Sequence, residues 1–169
     1  MDSMAAESHR KAAHAQKEGW TKGEITPYEC TFKDKDGKEK KVWVDRDDGV
    51  RPQTTKESLA KLKPVFKKGG TTTAGNSSQL TDGAAVVMVA RRSYANKHGL
   101  PILGRILSYQ VAGVPPQIMG IGPAVAIPRA LEKCGLDIRH IDSWEVNEAF
   151  ASQATYCVEK LGIPYTKLN

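Results

Sequence analysis

Asn147 is the residue of this sequence that is best placed for a chemical role. A short apolar segment, 141–146, runs directly into Asn147 and Glu148, and a helical pattern begins at once. Ligands of α/β folds bind at the carboxyl ends of strands, which is where this asparagine would lie. One interpretation is an amide that orients a water molecule or donates toward an oxyanion. The other is a helix N-cap, because asparagine is favoured at that position.

A second candidate site is the run of small polar residues from Thr73 to Ser78. Small residues let a ligand approach the backbone closely, and the hydroxyls of Ser77 and Ser78 can donate or accept hydrogen bonds. A plain loop is the alternative interpretation, since the same residue types are common in turns.

Arg51 and Ser58 form a third candidate site, near the start of a predicted short helix. The run from Thr54 to Glu57 has the pattern of a capping box, so the helix would begin between the two residues. A guanidinium and a hydroxyl in this arrangement could bind a phosphate or a base. Considered alone, each is also an ordinary surface residue.

The histidines and cysteines do not form a catalytic or metal-binding pattern. Nucleophilic catalysis needs an activated nucleophile beside a base, and no cysteine lies in such a motif. The cysteines are widely spaced and odd in number, which favours a reducing compartment over a disulfide framework. The residues concerned are His9, His14, His98, His140, Cys30, Cys134 and Cys157.

The net charge of +6 is unevenly distributed along the 169 residues. Residues 1–70 hold 16 Lys or Arg and 12 Asp or Glu, whereas the remaining residues hold 9 and 7. A solvated surface or a phosphate-bearing ligand explains the charged first part. Nucleic-acid binding is disfavoured because the basic residues alternate with acids. No apolar run approaches the length that spans a bilayer.

Strands and helices alternate in the second half, which predicts an α/β layered fold. Glycines mark the helix ends, and Asp36-Gly37 marks a hairpin turn. The predicted helices are 2–16, a short one from Thr54, 93–98, 123–134 (with Pro128 near its first turn) and 148–161. The predicted strands are 24–32, 41–45, 84–90, 102–109 and 141–146.

Several segments, in order and at family-like spacing, resemble the thiolases, which cleave or form 3-ketoacyl-CoA. The residues around Val114 and Ala151 most resemble the peroxisomal 3-ketoacyl-CoA thiolases of eukaryotes. The resemblance covers essentially the entire chain and implies that it is an internal fragment, less than half of a full-length thiolase. The segments are Gly49–Pro52, Lys61–Phe66, Thr73–Ser78 with Asp82–Ala85, Met119–Ala124 and Asn147–Ala151.

The resemblance implies an incomplete thiolase-like α/β fold, with a loop domain and part of the C-terminal βαβ layers. Residues 1–80 would be the loop domain that covers coenzyme A. Residues 81–101 would be the strand and helix that return to the N-terminal domain. Residues 102–169 would be the first half of the C-terminal domain.

The resemblance also assigns roles to the candidate residues. The position of Ser78 contacts the pantetheine arm of coenzyme A in the family, and those of Arg51 and Ser58 lie against its nucleotide end. Asn147 matches the asparagine that holds a catalytic water in an oxyanion hole. Coenzyme A and acyl-CoA are therefore expected as substrates, with no covalently bound cofactor and no metal.

Thiolases act through a nucleophilic cysteine and through Gly-His-Pro and Cys-x-Gly segments, and this sequence carries none of the three. We therefore expect the isolated chain to be inactive in the acyl transfer of fatty acid β-oxidation. The alternative is a non-catalytic module that binds coenzyme A or associates with a full-length thiolase. A thiolase-type homodimer is a further expected assembly, and neither nucleic acid nor a membrane is expected as a partner.

The resemblance implies a peroxisomal location. The N-terminus lacks the basic and apolar regions of a secretory signal, and the last three residues are not a Ser-Lys-Leu peroxisomal address. Because the chain shows no targeting signal, a cytoplasmic location is the alternative.

Overall fold

The computed structural model describes residues 1–169, which divide into an N-terminal unit, 1–77, and a C-terminal unit, 78–169. Helix α1 (Asp2–Glu18) opens the N-terminal unit and ends at Gly19, whose φ of 72° is left-handed. Glycine adopts this conformation without steric cost, so the predicted stop is confirmed. The N-cap is Met1, without a side-chain cap, and the Asp2 carboxylate accepts a hydrogen bond from the Asn76 amide at 2.9 Å.

A β-hairpin follows α1. Strand β1 (Tyr28–Lys33) pairs antiparallel with β2 (Glu39–Val44). The Asp34 carboxylate accepts hydrogen bonds from the N–H groups of Asp36 and Lys38, both at 3.0 Å, and Gly37 has a φ of 76°. The predicted Asp-Gly turn is confirmed.

Helix α2 is a single turn, Lys56–Leu59. Its N-cap is Thr55, and the residue that completes the capping box is Ser58. The box predicted from Thr54 to Glu57 is therefore wrong by one residue. Leu59 is buried, and a 3₁₀ turn, Ala74–Asn76, packs against it through Gly75.

The C-terminal unit contains three helices and one apolar core, to which α4 and α5 contribute. The core is Trp144, Val158 and Ile163, with half-buried residues such as Ile127 and Leu131 packed against it. The helices are α3 (Arg92–Lys97), α4 (Gly122–Lys133) and α5 (Ala151–Leu161), and the 3₁₀ turns are Pro116–Ile121, Ile138–His140 and Tyr165–Lys167.

The predicted strands of the C-terminal unit are not formed. Residues 84–90 and 102–109 lie in neither helix nor sheet. Within 141–146 there is one isolated parallel bridge, from Trp144 to Leu168. A strand needs a hydrogen-bonding neighbour, and residues 84–90 and 102–109 have none among the 169 residues.

Two further observations concern the helices, namely the place of a proline and the length of each helix. Pro128 is the seventh residue of α4 and lies in its interior, not near its first turn as predicted. None of the helices combines the length and apolarity that crossing a bilayer requires.

Candidate functional site

Asn147 presents an exposed amide that makes no hydrogen bond within the protein. It is not a helix cap, because α5 begins four residues later, at Ala151, with Phe150 as its N-cap. The Phe150 N–H group is bound by the Gln153 side chain at 3.4 Å. The N-cap interpretation is therefore wrong, and both the donor and the acceptor of the Asn147 amide remain available to a ligand or a water.

Ser78 holds the segment that carries Asn147. The Ser78 N–H group donates to the Ala149 carbonyl at 2.9 Å, and the Ser78 hydroxyl donates to the same carbonyl at 2.7 Å. The structure thus brings together two predicted sites that are far apart in sequence. The hydroxyl proton is used in this contact, so exposed Ser78 retains only acceptor capacity toward a ligand. Sequence reasoning missed the contact, since no local pattern signals a bond between residues 71 positions apart.

The adjacent Ser77 makes a different hydrogen bond. Its hydroxyl donates to the Thr73 carbonyl at 2.7 Å, within the same short loop. Of the two serines, only Ser78 is tied to the Asn147 segment.

A glycine-containing loop lies against α5, the helix that follows Asn147. The Cys157 thiol donates to the Gly120 carbonyl at 3.7 Å, and a Cβ on Gly120 would approach Cγ of Gln153 to 3.0 Å. Cys157 is fully buried. It packs this loop onto the helix and is closed to a substrate, since a reactive cysteine needs access as well as a thiolate.

Arg51 lies in the N-terminal unit with its side chain exposed and without an ion-pair partner. Its backbone N–H group donates to Nδ1 of His9 at 3.2 Å. Burial, and after it the Arg51 guanidinium, lower the pKa of His9 below its ordinary value. The neutral imidazole can accept this bond, which fixes the Arg51 backbone and leaves the guanidinium available to an anion.

Ser58 is exposed near the start of α2, and its hydroxyl is already engaged there. It donates to the Thr55 carbonyl at 2.8 Å and accepts from the Thr55 N–H group at 3.0 Å. One acceptor site remains, which suits an N–H donor such as the amino group of a base. A phosphate offers only acceptors unless it is protonated, so of the two ligands considered for this position the base fits better.

No thiol is hydrogen-bonded to an imidazole in the structure. Cys134 donates to the carbonyls of Ala130 and Leu131. The remaining histidines have other neighbours: Glu18 and Trp20 beside His14, Tyr94 beside His98, and Asp137 beside His140. No group of three or more His, Cys, Asp or Glu side chains is placed to bind a metal.

Known proteins resemble this chain over nearly its whole length. It is 61% identical to the rat protein "3-ketoacyl-CoA thiolase B, peroxisomal" over 168 residues, 99% of this chain and 40% of the relative. The dimeric peroxisomal thiolase of Saccharomyces cerevisiae matches with a TM-score of 0.89 and 50% identity, covering 99% of this chain and 41% of that one. Human mitochondrial 3-ketoacyl-CoA thiolase in complex with CoA matches with a TM-score of 0.88 and 42% identity, covering 99% and 40%.

The chain therefore spans about two-fifths of the length of these relatives. The structural matches establish the expected α/β thiolase fold, present here in part. Residues 1–93 match the family model of the thiolase N-terminal domain, and residues 100–169 match that of the thiolase C-terminal domain. On these matches, the chain belongs to the thiolase family.

Proposed function

We propose that this chain forms the coenzyme A-holding and oxyanion-assisting part of a peroxisomal 3-ketoacyl-CoA thiolase (acetyl-CoA C-acyltransferase). The observation that carries the proposal is the exposed, unpartnered Asn147 amide on a segment fixed by Ser78. An amide held in this way can orient a water or donate toward negative charge that develops on an acyl oxygen. In the complete reaction, a cysteine thioester carries the acyl group from 3-ketoacyl-CoA to coenzyme A, and acetyl-CoA is released.

Coenzyme A would be held at its two ends by different residues. Ser78 would accept a hydrogen bond from an amide of the pantetheine arm, because its own proton is given to Ala149. Arg51 would meet a phosphate through its unpaired guanidinium, and Ser58 would accept from the adenine amino group. No group is bound covalently in this scheme; coenzyme A and acyl-CoA are substrates.

We assign the regions of the chain accordingly. Residues 1–80 would cover coenzyme A, residues 81–101 would return to the N-terminal domain, and residues 102–169 would begin the C-terminal domain. We propose a homodimer and a peroxisomal location by family, since the rat and yeast thiolases named above are peroxisomal and the yeast thiolase is dimeric.

The isolated 169-residue chain is expected to lack thiolytic activity. None of its thiols is hydrogen-bonded to an imidazole, and Cys157 is closed to solvent. Covalent catalysis requires both a thiolate and a base that activates it. The test is release of acetyl-CoA from acetoacetyl-CoA and coenzyme A by the purified chain. Turnover above the buffer rate would contradict this expectation.

Binding of coenzyme A is tested by calorimetric titration of the purified chain. Replacing the Ser78 hydroxyl in Ser78→Ala should weaken binding roughly tenfold, because one hydrogen bond to the ligand and one to Ala149 are lost. Ser77→Ala is the matched control, since its hydroxyl serves only Thr73. Equal affinities in all three proteins would contradict the role of Ser78.

A non-catalytic module that binds coenzyme A is the second candidate function. It is favoured by the unpaired Arg51 guanidinium in a chain without a thiol–imidazole pair. Micromolar binding that falls in Arg51→Ala but not in the exposed control Arg129→Ala, together with absent turnover, would support it. Absence of binding would exclude it.

A further inference from the structure

Helix α1 carries three half-buried polar residues at seven-residue spacing, Asp2, His9 and Gln16. Seven residues are nearly two helical turns, so the three side chains lie on one face of the helix and drift by only about 40° from the first to the last. We call them the polar stripe. The helix buries no residue fully. It therefore lacks the buried apolar face by which a surface helix usually packs, and the contacts of the polar stripe show what it holds in place.

The polar stripe binds the two loops of the N-terminal unit that carry candidate ligand residues. The Gln16 side-chain amide donates to the Asp47 carbonyl at 3.0 Å, and Nδ1 of His9 accepts from the Arg51 N–H group at 3.2 Å. Asp2 accepts from the side-chain amide of Asn76, in the 73–78 loop, at 2.9 Å. These contacts join residues 31 to 74 positions apart, so they set the tertiary placement of the loops.

The segment 47–51 depends on these contacts for its position. No backbone-to-backbone hydrogen bond outside the helices and strands involves residues 45–50. Within the segment, the Gly49 N–H group donates to the Asp48 carboxylate at 2.7 Å. Gln16 and His9 bind its two ends, Asp47 and Arg51. Helix α1 therefore fixes the backbone from which the exposed Arg51 guanidinium reaches a ligand.

We propose that His9 is a positioning residue for the anion site at Arg51, and that Gln16 holds the other end of the same segment. The proposal rests on the proposed function, in which Arg51 meets a phosphate of coenzyme A. Because the segment is fixed before the ligand arrives, binding does not bear the entropic cost of ordering it.

His9 acts through the placement of Arg51 and does not need to touch the ligand. Its ring bonds the Arg51 backbone, which leaves the guanidinium free. Only a neutral imidazole can accept at Nδ1. Burial first, and the Arg51 charge second, lower the pKa of His9, which favours that neutral form.

The first test compares two replacements of His9 by calorimetric titration of the purified chain with coenzyme A. His9→Leu offers no acceptor and should weaken binding roughly fivefold to tenfold. His9→Asn can place its side-chain oxygen where Nδ1 lies, and should bind within about twofold of the unmodified chain. His14→Leu is the matched control, because this second histidine of α1 contacts Glu18 and Trp20 instead of the segment. Its affinity should be unchanged.

A double-mutant cycle with Arg51→Ala decides whether His9 acts through Arg51. His9→Leu should then weaken binding by less than about twofold, because the guanidinium that it positions is already absent. A merely stabilising role would leave the affinity of the folded protein unchanged, or would give the same loss in both backgrounds. Gln16→Met removes the bond to Asp47 and should also lower the affinity, so it is a second variant if circular dichroism shows His9→Leu to be unfolded.

Hydrogen exchange of the Arg51 amide needs no ligand, so it separates this proposal from the proposed function. The amide should exchange at least roughly tenfold faster in His9→Leu than in the unmodified chain or in His9→Asn. Equal exchange in the three proteins, no rescue of coenzyme A affinity by His9→Asn, or additive losses in the cycle would each overturn the proposal. An unmodified chain that binds no coenzyme A would refute the proposed ligand role, and the exchange rates would then decide whether His9 positions Arg51.

Discussion

Asn76 is almost fully buried, and it uses both ends of its amide. Its oxygen accepts from the Thr73 N–H group at 2.9 Å, and its nitrogen donates to the Thr71 carbonyl at 3.0 Å and to Asp2 at 2.9 Å. One side chain therefore fixes the loop before Ser78 and ties it to the start of α1. Sequence reasoning placed Asn76 in a candidate ligand loop, whereas its contacts are structural.

Replacing Asn76 should destabilise the N-terminal unit. In Asn76→Ala, the Thr73 N–H group, the Thr71 carbonyl and Asp2 lose their partner, at a cost of about 2 kcal/mol in the free energy of unfolding. Denaturation by urea, followed by circular dichroism, measures this. Asn96→Ala, at an exposed position of α3, is the control and should change stability by less than about 0.5 kcal/mol. Equal effects of the two substitutions would contradict the assigned contacts.

His9 should make stability depend on pH. Its pKa is lowered in the folded chain, by burial first and by Arg51 second, so folding favours the neutral imidazole. The contribution of His9 to the free energy of unfolding is fully present above the ordinary histidine pKa of about 6.5. It is lost as the pH falls through the lower pKa of the folded chain. His9→Gln should remove this dependence. The measurement is the urea midpoint of both proteins between pH 7.5 and 5, and parallel curves would contradict the assignment.

Asn147 shows where residue-level reasoning succeeds and where it fails. The predicted strand-to-helix junction is not formed at Asn147, because 141–146 contributes one isolated bridge and α5 begins at Ala151, whereas the amide is exposed as a ligand-binding role requires. The cap interpretation failed because Ser78 binds the Ala149 carbonyl, and α5 begins only at Ala151. That contact is set by tertiary structure, which local propensity does not encode. The Asn147 amide is therefore not engaged as a helix cap, which suits the proposed role of orienting a water or donating toward an oxyanion.

At the scale of elements, the glycine signals and the hairpin were predicted correctly, and the strands of the C-terminal unit were not. Helix ends at Gly19 and Gly162 and the turn at Gly37 depend on a left-handed glycine, which the chain specifies on its own. The segments 84–90 and 102–109 have strand composition but no strand neighbour. Strand formation depends on residues remote in sequence, so composition alone could not predict the outcome.

Gly75 has little space for a side chain, because a neighbouring element packs against it. A Cβ there would collide with Leu59 and approach Cδ1 of Leu62 to 2.6 Å. Gly75→Ala should therefore push the Ala74–Asn76 turn away from α2 and destabilise the N-terminal unit by about 1–3 kcal/mol. Gly23→Ala is the control, since no atom lies within 4 Å of its added Cβ. Urea midpoints that match for the two variants would contradict the close packing.

For the whole molecule, the accessible surface area predicts that the free energy of unfolding falls slowly with urea concentration. An unfolded chain of 18.4 kDa exposes about 26,700 Å², so unfolding from 13651 Å² uncovers about 13,000 Å². A compact protein of equal mass would uncover about 18,500 Å². The urea m-value scales with this area and should be about 0.7 times that of a compact protein of the same length.

The same measurement separates two states of the apolar segments 84–90 and 102–111, which are exposed in the structure. If 84–90 and 102–111 stay exposed in solution, the low m-value should be accompanied by binding of an apolar dye and by association that grows with protein concentration. Val87→Lys and Leu103→Lys should reduce both without changing the m-value greatly, because these side chains are exposed before and after unfolding. An m-value of full size without dye binding would mean that the segments are packed in the free chain.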